Sequence, residues 1–363
     1  MPNSVSKNLA SAAKTGRLIG HLEPPKMAPP QKRSVHAVHE NFVVTGKEAS
    51  ASPIDFQPAV RRFAIMSDDP GWHGEALSTA LGRRGCEAVY VSLSDCRIDL
   101  SSPALGLVIP GFETALPDGV MIRGIAAGTL EQVTLRLGVL HGLRAIGIPV
   151  YNDARAIERS VDKSMTSLLL HLAGVPTPPT WVTESEREAK LIVMRETALQ
   201  RELVMKPMFG SQGNGLKRLT GVADLPAAAD YNQVCYLQRF IDSGEGEWHD
   251  WRVFVIGHRP VAAMLRRGRS WINNVAQGAV CEPAVMDEEL SSLAQQASRA
   301  IDIDYAGVDI IRDREGKAFV VEVNSCPAWK GLQSVCGVDI AQTLVDDFLA
   351  RHFPLHVVES AAR

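Results

Sequence analysis

The residues best suited to chemistry are Asp309, Glu322 and Asn324, within the run Gly307 to Asn324. Two β-rich stretches there flank a charged turn ending in Gly316, the pattern of a β-hairpin. If Glu315 and Gly316 form a two-residue loop, Arg314 faces Lys317, and counting back in pairs sets Asp309 opposite Glu322. A four-residue loop from Arg314 to Lys317 keeps the same register. Side chains alternate faces along a strand, so Asn324 shares the face of Asp309 and Glu322, while Val308, Ile310, Val321 and Val323 suit a core. Cross-strand Cβ atoms lie only ~5 Å apart, so two bare carboxylates placed this way repel. Hard oxygen ligands of this kind suit Mg²⁺, which takes one or two carboxylates together with substrate phosphates. Alone, the pattern reads more simply as a solvated hairpin face.

Other segments change that balance. Glu202 to Pro207 reads as a strand delivering Lys206, followed by a glycine-rich loop, Phe209 to Gly215, that contains Ser211 and Gly213. Glycines let backbone N–H groups converge on phosphate oxygens. The loop is not a Walker A sequence, and by itself it reads as a hairpin turn. Lys206, just ahead of it, makes a phosphate cradle plausible. Arg266, Arg267 and Arg269 follow another strand; they fit a solvated edge or an anion site, since guanidinium is planar and always charged.

The elements that must position these groups are ordinary. The 363-residue chain is 45% hydrophobic and 22% charged, with net charge −3, enough for two or three domains with real cores. No basic excess points to nucleic acid, no apolar run is long enough to span a bilayer, and no N-terminal apolar region resembles a secretory signal. Six cysteines without C-x-x-C spacing read as reduced core thiols rather than zinc ligands. A cytoplasmic protein is the expectation.

Residues 1–58 and 354–363 read as tails. Over 59–150, strands at Arg62–Ser67, Ala88–Ser92, Gly106–Pro110, Gly119–Arg123 and Ile148–Tyr151 alternate with helices through Glu75–Leu81 and Leu130–Leu143. This is the pattern of a small doubly wound α/β domain, without a G-x-G-x-x-G dinucleotide fingerprint. Trp72 and His73 belong to its first loop, and Arg123 ends one of its strands, just before Gly124. From 151 to 353 the pattern turns to α+β: one helical stretch Ala156–Leu172 containing Lys163, a proline-rich boundary at Gly174–Thr180, a helix Glu186–Arg201 and a strand Cys235–Ile241. A hairpin turning at Gly257-His258, a helix Asp287–Ile301, the organising hairpin and a last helix Asp339–His352 complete it.

In that order and spacing, Lys163, Val204-Met-Lys-Pro with its glycine-rich loop, Leu237-Gln-Arg-Phe-Ile, Asp250-Trp-Arg-Val-Phe-Val, Arg266-Arg267, Trp271-Ile-Asn-Asn, Ala306-Gly-Val-Asp309 and Glu322-Val-Asn324 resemble the ATP-grasp superfamily. The likeness is to its RimK-like carboxylate–amine ligases and covers about Tyr151 to Arg351; Arg266 to Gly278 is also similar to the LysX group, which ligates amino acids onto carrier proteins. The resemblance implies an ATP-grasp fold behind a pre-ATP-grasp domain. It implies that Lys163 and Lys206 neutralise ATP phosphates under the loop of Ser211 and Gly213, and that Gln238, Arg239 and Phe240 hold the adenine. Asp250 would lie near the ribose or adenine, and Asn273 and Asn274 by the nucleotide and reaction centre. Asp309, Glu322 and Asn324 would hold two Mg²⁺ ions, with Mn²⁺ as a substitute. Arg266 and Arg267, with Asn274, would serve the phosphoryl transfer.

The implied reaction is ATP-dependent amide formation through an acylphosphate. It would add a glutamate-like amino acid to a coenzyme of pterin or furan type, an amino acid or a protein, in a homo-oligomer that needs neither nucleic acid nor membrane. Three departures stand out: Arg239 where relatives carry Glu, Gln277 where they carry an Arg near the substrate, and Asn324-Ser-Cys-Pro-Ala where they carry N-A-S-P-G. Arg239 and Gln277 keep a second reading open, a catalytically silent ATP-binding regulatory protein of the same fold.

Overall fold

The computed structural model describes residues 60–101, 106–210, 213–244, 248–275 and 278–354. The tails apart from Pro354, together with Ser211 and Gln277, lie outside these residues. Strand β1 (Arg62–Met66), helix α1 (Gly71–Arg83), β2 (Glu87–Val91), β5 (Gly119–Ile122), α2 (Leu130–Ala145) and β6 (Val150–Tyr151) build a parallel sheet of order β2-β1-β5-β6. The sheet is doubly wound: α1 packs Leu77 and Leu81 into one core, and α2 packs Val139, Leu140 and Leu143 into another. Two local expectations change. The segment Gly106–Pro110 supplies β4 (Leu107–Val108), which pairs antiparallel with β3 (Arg97–Ile98) outside the main sheet. Helix α1 starts at Gly71, so Trp72 and His73 sit in its first turn rather than in a loop.

The stretch expected as one helix is two, α3 (Ala154–Val161) and α4 (Lys163–Leu172). Asp162 breaks it by turning extended, and its carboxylate caps α4 by accepting from the Ser164 and Met165 amides. Lys163 thereby becomes the first residue of a helix. Next come β7 (Thr180–Thr183), α5 (Glu186–Ala198), β8 (Leu203–Lys206), β9 (Lys217–Leu219) and β10 (Cys235–Arg239), which form an antiparallel sheet of order β7-β10-β8-β9 with α5 on one face.

A second antiparallel sheet, of order β13-β12-β11-β14-β15, is made of β11 (His249–Ile256), β12 (Arg259–Arg267), β13 (Val280–Pro283), β14 (Tyr305–Arg312) and β15 (Ala318–Asn324). One face packs Val253, Val255, Val308, Val320 and Val323 against α6 (Glu288–Ile301). At one end the other face packs Phe254, Ile256, Met264 and Tyr305 against α1, β1 and, beyond the short helix α7 (Lys330–Gln333), the helix α8 (Ile340–His352). Its other end faces the first antiparallel sheet across a cleft.

Candidate active site

The hairpin β14–β15 sets Asp309 opposite Glu322 and Gly307 opposite Asn324, as alternation implies. The turn, however, is not the expected one. Its loop is Arg314, Glu315 and Gly316, closed by Asp313, with Gly316 at φ +83°, where glycine is favoured. That shifts the pairing near the turn by one residue, to Ile310 opposite Val320, and a bulge at Val321 restores the register before Asp309. The bulge changes which valine faces the core. Val320 is fully buried against α6, while Val321, expected in the core, lines the cleft beside Glu322.

Pairing across the sheet then lays charges in a row. Arg266 on β12 lies opposite Asp250 on β11, Arg252 lies opposite Asp309, and Asp309 lies opposite Glu322. Arg252 grips Asp309 with two parallel bonds of 2.7 Å. Arg266, 2% exposed, reaches Asp309 at 2.9 Å and also holds both oxygens of Asp250, its Nε at 2.8 Å from Oδ1. Asn273 donates to Asp250 and to the Arg266 carbonyl. Burial works against the Asp309 charge, but two guanidinia outweigh it and hold the carboxyl below its usual range. Asp250, with a weaker share of cation, is pushed by burial up to about 6.

Arg252 was the residue missed from sequence. It falls two positions from Asp250 and so on the same strand face, a signal the alternation rule could have supplied. Gly307 makes room for it: a Cβ there would lie 3.0 Å from the Pro327 side chain and 3.4 Å from Arg252.

Glu322 is different. Half-buried in the cleft, its carboxylate meets no hydrogen-bond or ion-pair partner among the described residues. The cations facing it are Lys163 and Lys206, which its charge helps to keep protonated. Burial pulls both lysines down, Lys206 to about 8. Lys163 donates to the Gly210 carbonyl at 2.7 Å, tying the start of α4 to the glycine-rich loop. Lys206 donates to Gln238 at 2.6 Å, and the Gln238 amide in turn donates to Thr180 and to the Tyr236 hydroxyl.

Lys163, Lys206, Gly213, Gln238, Arg239, Phe240, Asp250, Arg266, Asn273, Asn274, Asp309 and Glu322 line this one cleft. Its apolar wall includes Val204, Ile311, Val321 and Trp271, whose ring meets Phe240 edge-on at 5.9 Å. The Arg239 side chain is turned to Glu196, a buried carboxylate it holds at 2.7 Å. Among the described residues, two expected ones are not among those lining the cleft. Arg267 is exposed and pairs with Glu282 on the neighbouring strand. Asn324 shares the face of Asp309, with its amide 3.4 Å from the Gly307 carbonyl.

The donor set suits a divalent cation shared with phosphates. Glu322 is open, the Asn324 carbonyl oxygen is a second hard ligand, and Asp309 spends three of roughly four acceptor positions on arginines, leaving one. The surrounding cations Lys163, Lys206, Arg252 and Arg266 favour a polyanion. The arrangement can hold a nucleotide polyphosphate and stabilise charge moving along it.

A model of the RimK-like ATP-grasp domain matches residues 160–348. The tetrahydromethanopterin:alpha-L-glutamate ligase of Methanococcus maripaludis is 37% identical over 208 residues, 56% of this chain and 70% of that protein. The protein of the same name from Methanosarcina acetivorans is 27% identical over 325 residues, 79% of this chain and 98% of its own length. Among solved structures, the ATP-grasp ligase PsnB complexed with minimal precursor superposes with TM-score 0.63 at 21% identity, covering 80% of this chain and 99% of that one.

Proposed function

Because the chain belongs to the RimK-like ATP-grasp family, and so is an ATP-dependent carboxylate–amine ligase, we propose that it adds an amino acid, glutamate in the first instance, to a small-molecule coenzyme acceptor. The tetrahydromethanopterin:alpha-L-glutamate ligases among its relatives support this substrate pair. The observation that carries the reading is the open Glu322 carboxylate facing Lys163 and Lys206, next to the Arg252–Asp309–Arg266–Asp250 row.

In this reading ATP lies along the cleft, its base against Phe240, Val204 and Trp271 and its phosphates at the two lysines. The acceptor carboxylate attacks the γ-phosphorus, ADP leaves, and an acylphosphate forms. The amine of the amino acid then attacks the acyl carbon, phosphate leaves, and the amine proton passes to it. The protein forms no covalent bond; it positions the reactants and neutralises charge. Arg266 is held rigidly by two carboxylates, so it presents a fixed positive charge to the transferring phosphoryl without reorganising. Glu322, Asp309 and Asn324 would hold Mg²⁺, two ions in the full complement, and the metal would supply charge neutralisation on the phosphates.

The test is phosphate and ADP release with ATP and Mg²⁺, with tetrahydromethanopterin and glutamate offered first and pooled coenzymes and amino acids after. Wild type and Glu322→Ala are compared while product masses are followed. Release that needs both substrates, a product heavier by one amide-linked residue, and loss of both in the variant are expected. Tight ATP binding without turnover on any pool would overturn the reading in favour of a silent nucleotide binder.

A further inference from the structure

The sheet β2-β1-β5-β6 is wound in opposite directions from β1 and β5, and ligands of such sheets bind beyond the carboxyl ends of the strands where the winding reverses. That end carries His73, just after β1, and Arg123, just after β5. Across from them lies the turn that follows Asn324. The Arg123 guanidinium stacks over the Trp329 ring at 4.3 Å and donates to the Pro327 carbonyl at 3.2 Å. His73 accepts from the Trp329 and Lys330 amides at 3.0 and 3.2 Å. Burial, with Arg123 and Lys330 close by, drives its imidazole down to about 4, so it stays neutral.

The crevice is therefore cationic and its charge is unmet. Neither Arg123 nor Lys330 has a carboxylate partner among the described residues. Two buried donors, Arg123 Nε and Trp329 Nε1, meet no acceptor there. Buried donors are nearly always paired, and leaving one unpaired costs about 1–3 kcal/mol. A half-buried arginine and an exposed lysine without an acid between them fit an incoming anion. The crevice is also close to the chemistry: Pro327, which Arg123 holds, follows Asn324 by three residues, at most ~10 Å of extended chain.

We propose that Arg123 and Lys330 receive the carboxylates of the incoming amino acid and so select an acidic one. The inference rests on the ligase reading above. It also accounts for a missing charge, because Gln277 stands where the family resemblance leads one to expect an arginine near the substrate. Arg123 orients the amino acid by two planar donors, and Lys330 supplies the second charge at the mouth.

The test uses the full chain loaded with Mg²⁺ and a non-hydrolysable ATP analogue, titrated calorimetrically with L-glutamate and, separately, L-glutamine. Wild type should prefer glutamate by about tenfold, the weight of one charge-assisted hydrogen bond. Arg123→Gln should remove the preference and weaken glutamate by a similar factor, Lys330→Gln should weaken it less, and neither should change analogue affinity. Arg123→Met also removes the charge while keeping an apolar stem against Trp329, and covers the case in which the glutamine variant does not fold. Equal binding of glutamate and glutamine by wild type, no glutamate binding at all, or an unchanged preference in both Lys330→Gln and the folded Arg123 variants would each overturn the site. Turnover that joins an amino acid whose KM ignores these substitutions would sink this inference and leave the ligase reading standing. Glutamate selection at Arg123 without any turnover would do the reverse.

Discussion

Lys206 illustrates how a single buried charge ties function to pH. Burial, offset in part by Glu322 and reinforced by Lys163, lowers its ammonium to about 8. The charged form is the one a polyphosphate prefers, so on the proposed placement of the ATP phosphates beside Lys206, binding raises that value and takes up a proton in the window just above 8. ATP affinity should be flat at neutral pH and weaken as pH rises through about 8. Calorimetry just above that pH, in two buffers of different ionisation heat, should show proton uptake. Lys206→Arg, which cannot lose its charge, should flatten the profile; an unaltered profile in that variant would assign the titration to another group. The arginines give a second contrast. Removing Arg266 leaves Asp250 and Asp309 short of a shared cation in a buried site, and Arg266→Met should cost about 3–5 kcal/mol in denaturant unfolding. Arg267→Met, on the exposed side of the same strand, should cost no more than about 1 kcal/mol. Equal losses for the two would mean that the charge row adds nothing to stability.

At the scale of elements, the hairpin shows what alternation can and cannot reveal. Period two put Asp309, Glu322 and Asn324 on one face, and the pairing agrees. The loop length and the bulge were both unreadable, because a turn of Arg314 to Gly316 and an extra residue at Val321 shift the register by equal and opposite amounts. Alternation gives the observed pairing at the site but places Val321 on the wrong face. Deleting Val321 should therefore leave Asp309 opposite Glu322 and the fold intact, yet strip one apolar side chain from the nucleotide wall. A valine contact of about 1.5 kcal/mol corresponds to roughly tenfold weaker ATP binding. A deletion variant that unfolds, or binds ATP as wild type does, would show that the bulge has some other purpose. The break between α3 and α4 was hidden for a different reason: the helical periodicity runs on through Asp162, and only the cap geometry reveals the stop. The Glu196 partner of Arg239 is hidden because it comes from a distant segment, whereas Arg252 follows from alternation two positions past Asp250. A sequence lists such side chains without showing which ones meet.

The whole molecule is organised around a shared core rather than around its sheets taken singly. Phe63, Leu77 and Leu81 of the first sheet and α1 pack in one cluster with Phe254, Ile256 and Tyr305 of the second antiparallel sheet and with Leu344 and Phe348 of α8. The Phe63 and Phe348 rings meet edge-on at 5.3 Å, and Tyr151 of β6 donates to Asp347 of α8 at 2.8 Å. Segments from both ends of the described chain thus close over the same apolar interior, and neither can lose its packing without exposing the other. The sheet β7-β10-β8-β9 is built differently: Ala189, Val193, Leu203, Met205 and Leu237 form a separate cluster with α5. Phe348→Ala should accordingly cost about 3–5 kcal/mol in the shared core, speeding hydrogen exchange in β1, α1, β11 and α8 together while leaving α5, β8 and β10 protected. Val193→Ala should do the converse at lower cost. Cooperative units of this kind open along packing boundaries, not along the order of the chain. Uniform acceleration everywhere in both variants would mean that the cleft sits inside one indivisible core. The separate response expected here makes it a seam between two units, with Lys206 on one facing Glu322 on the other.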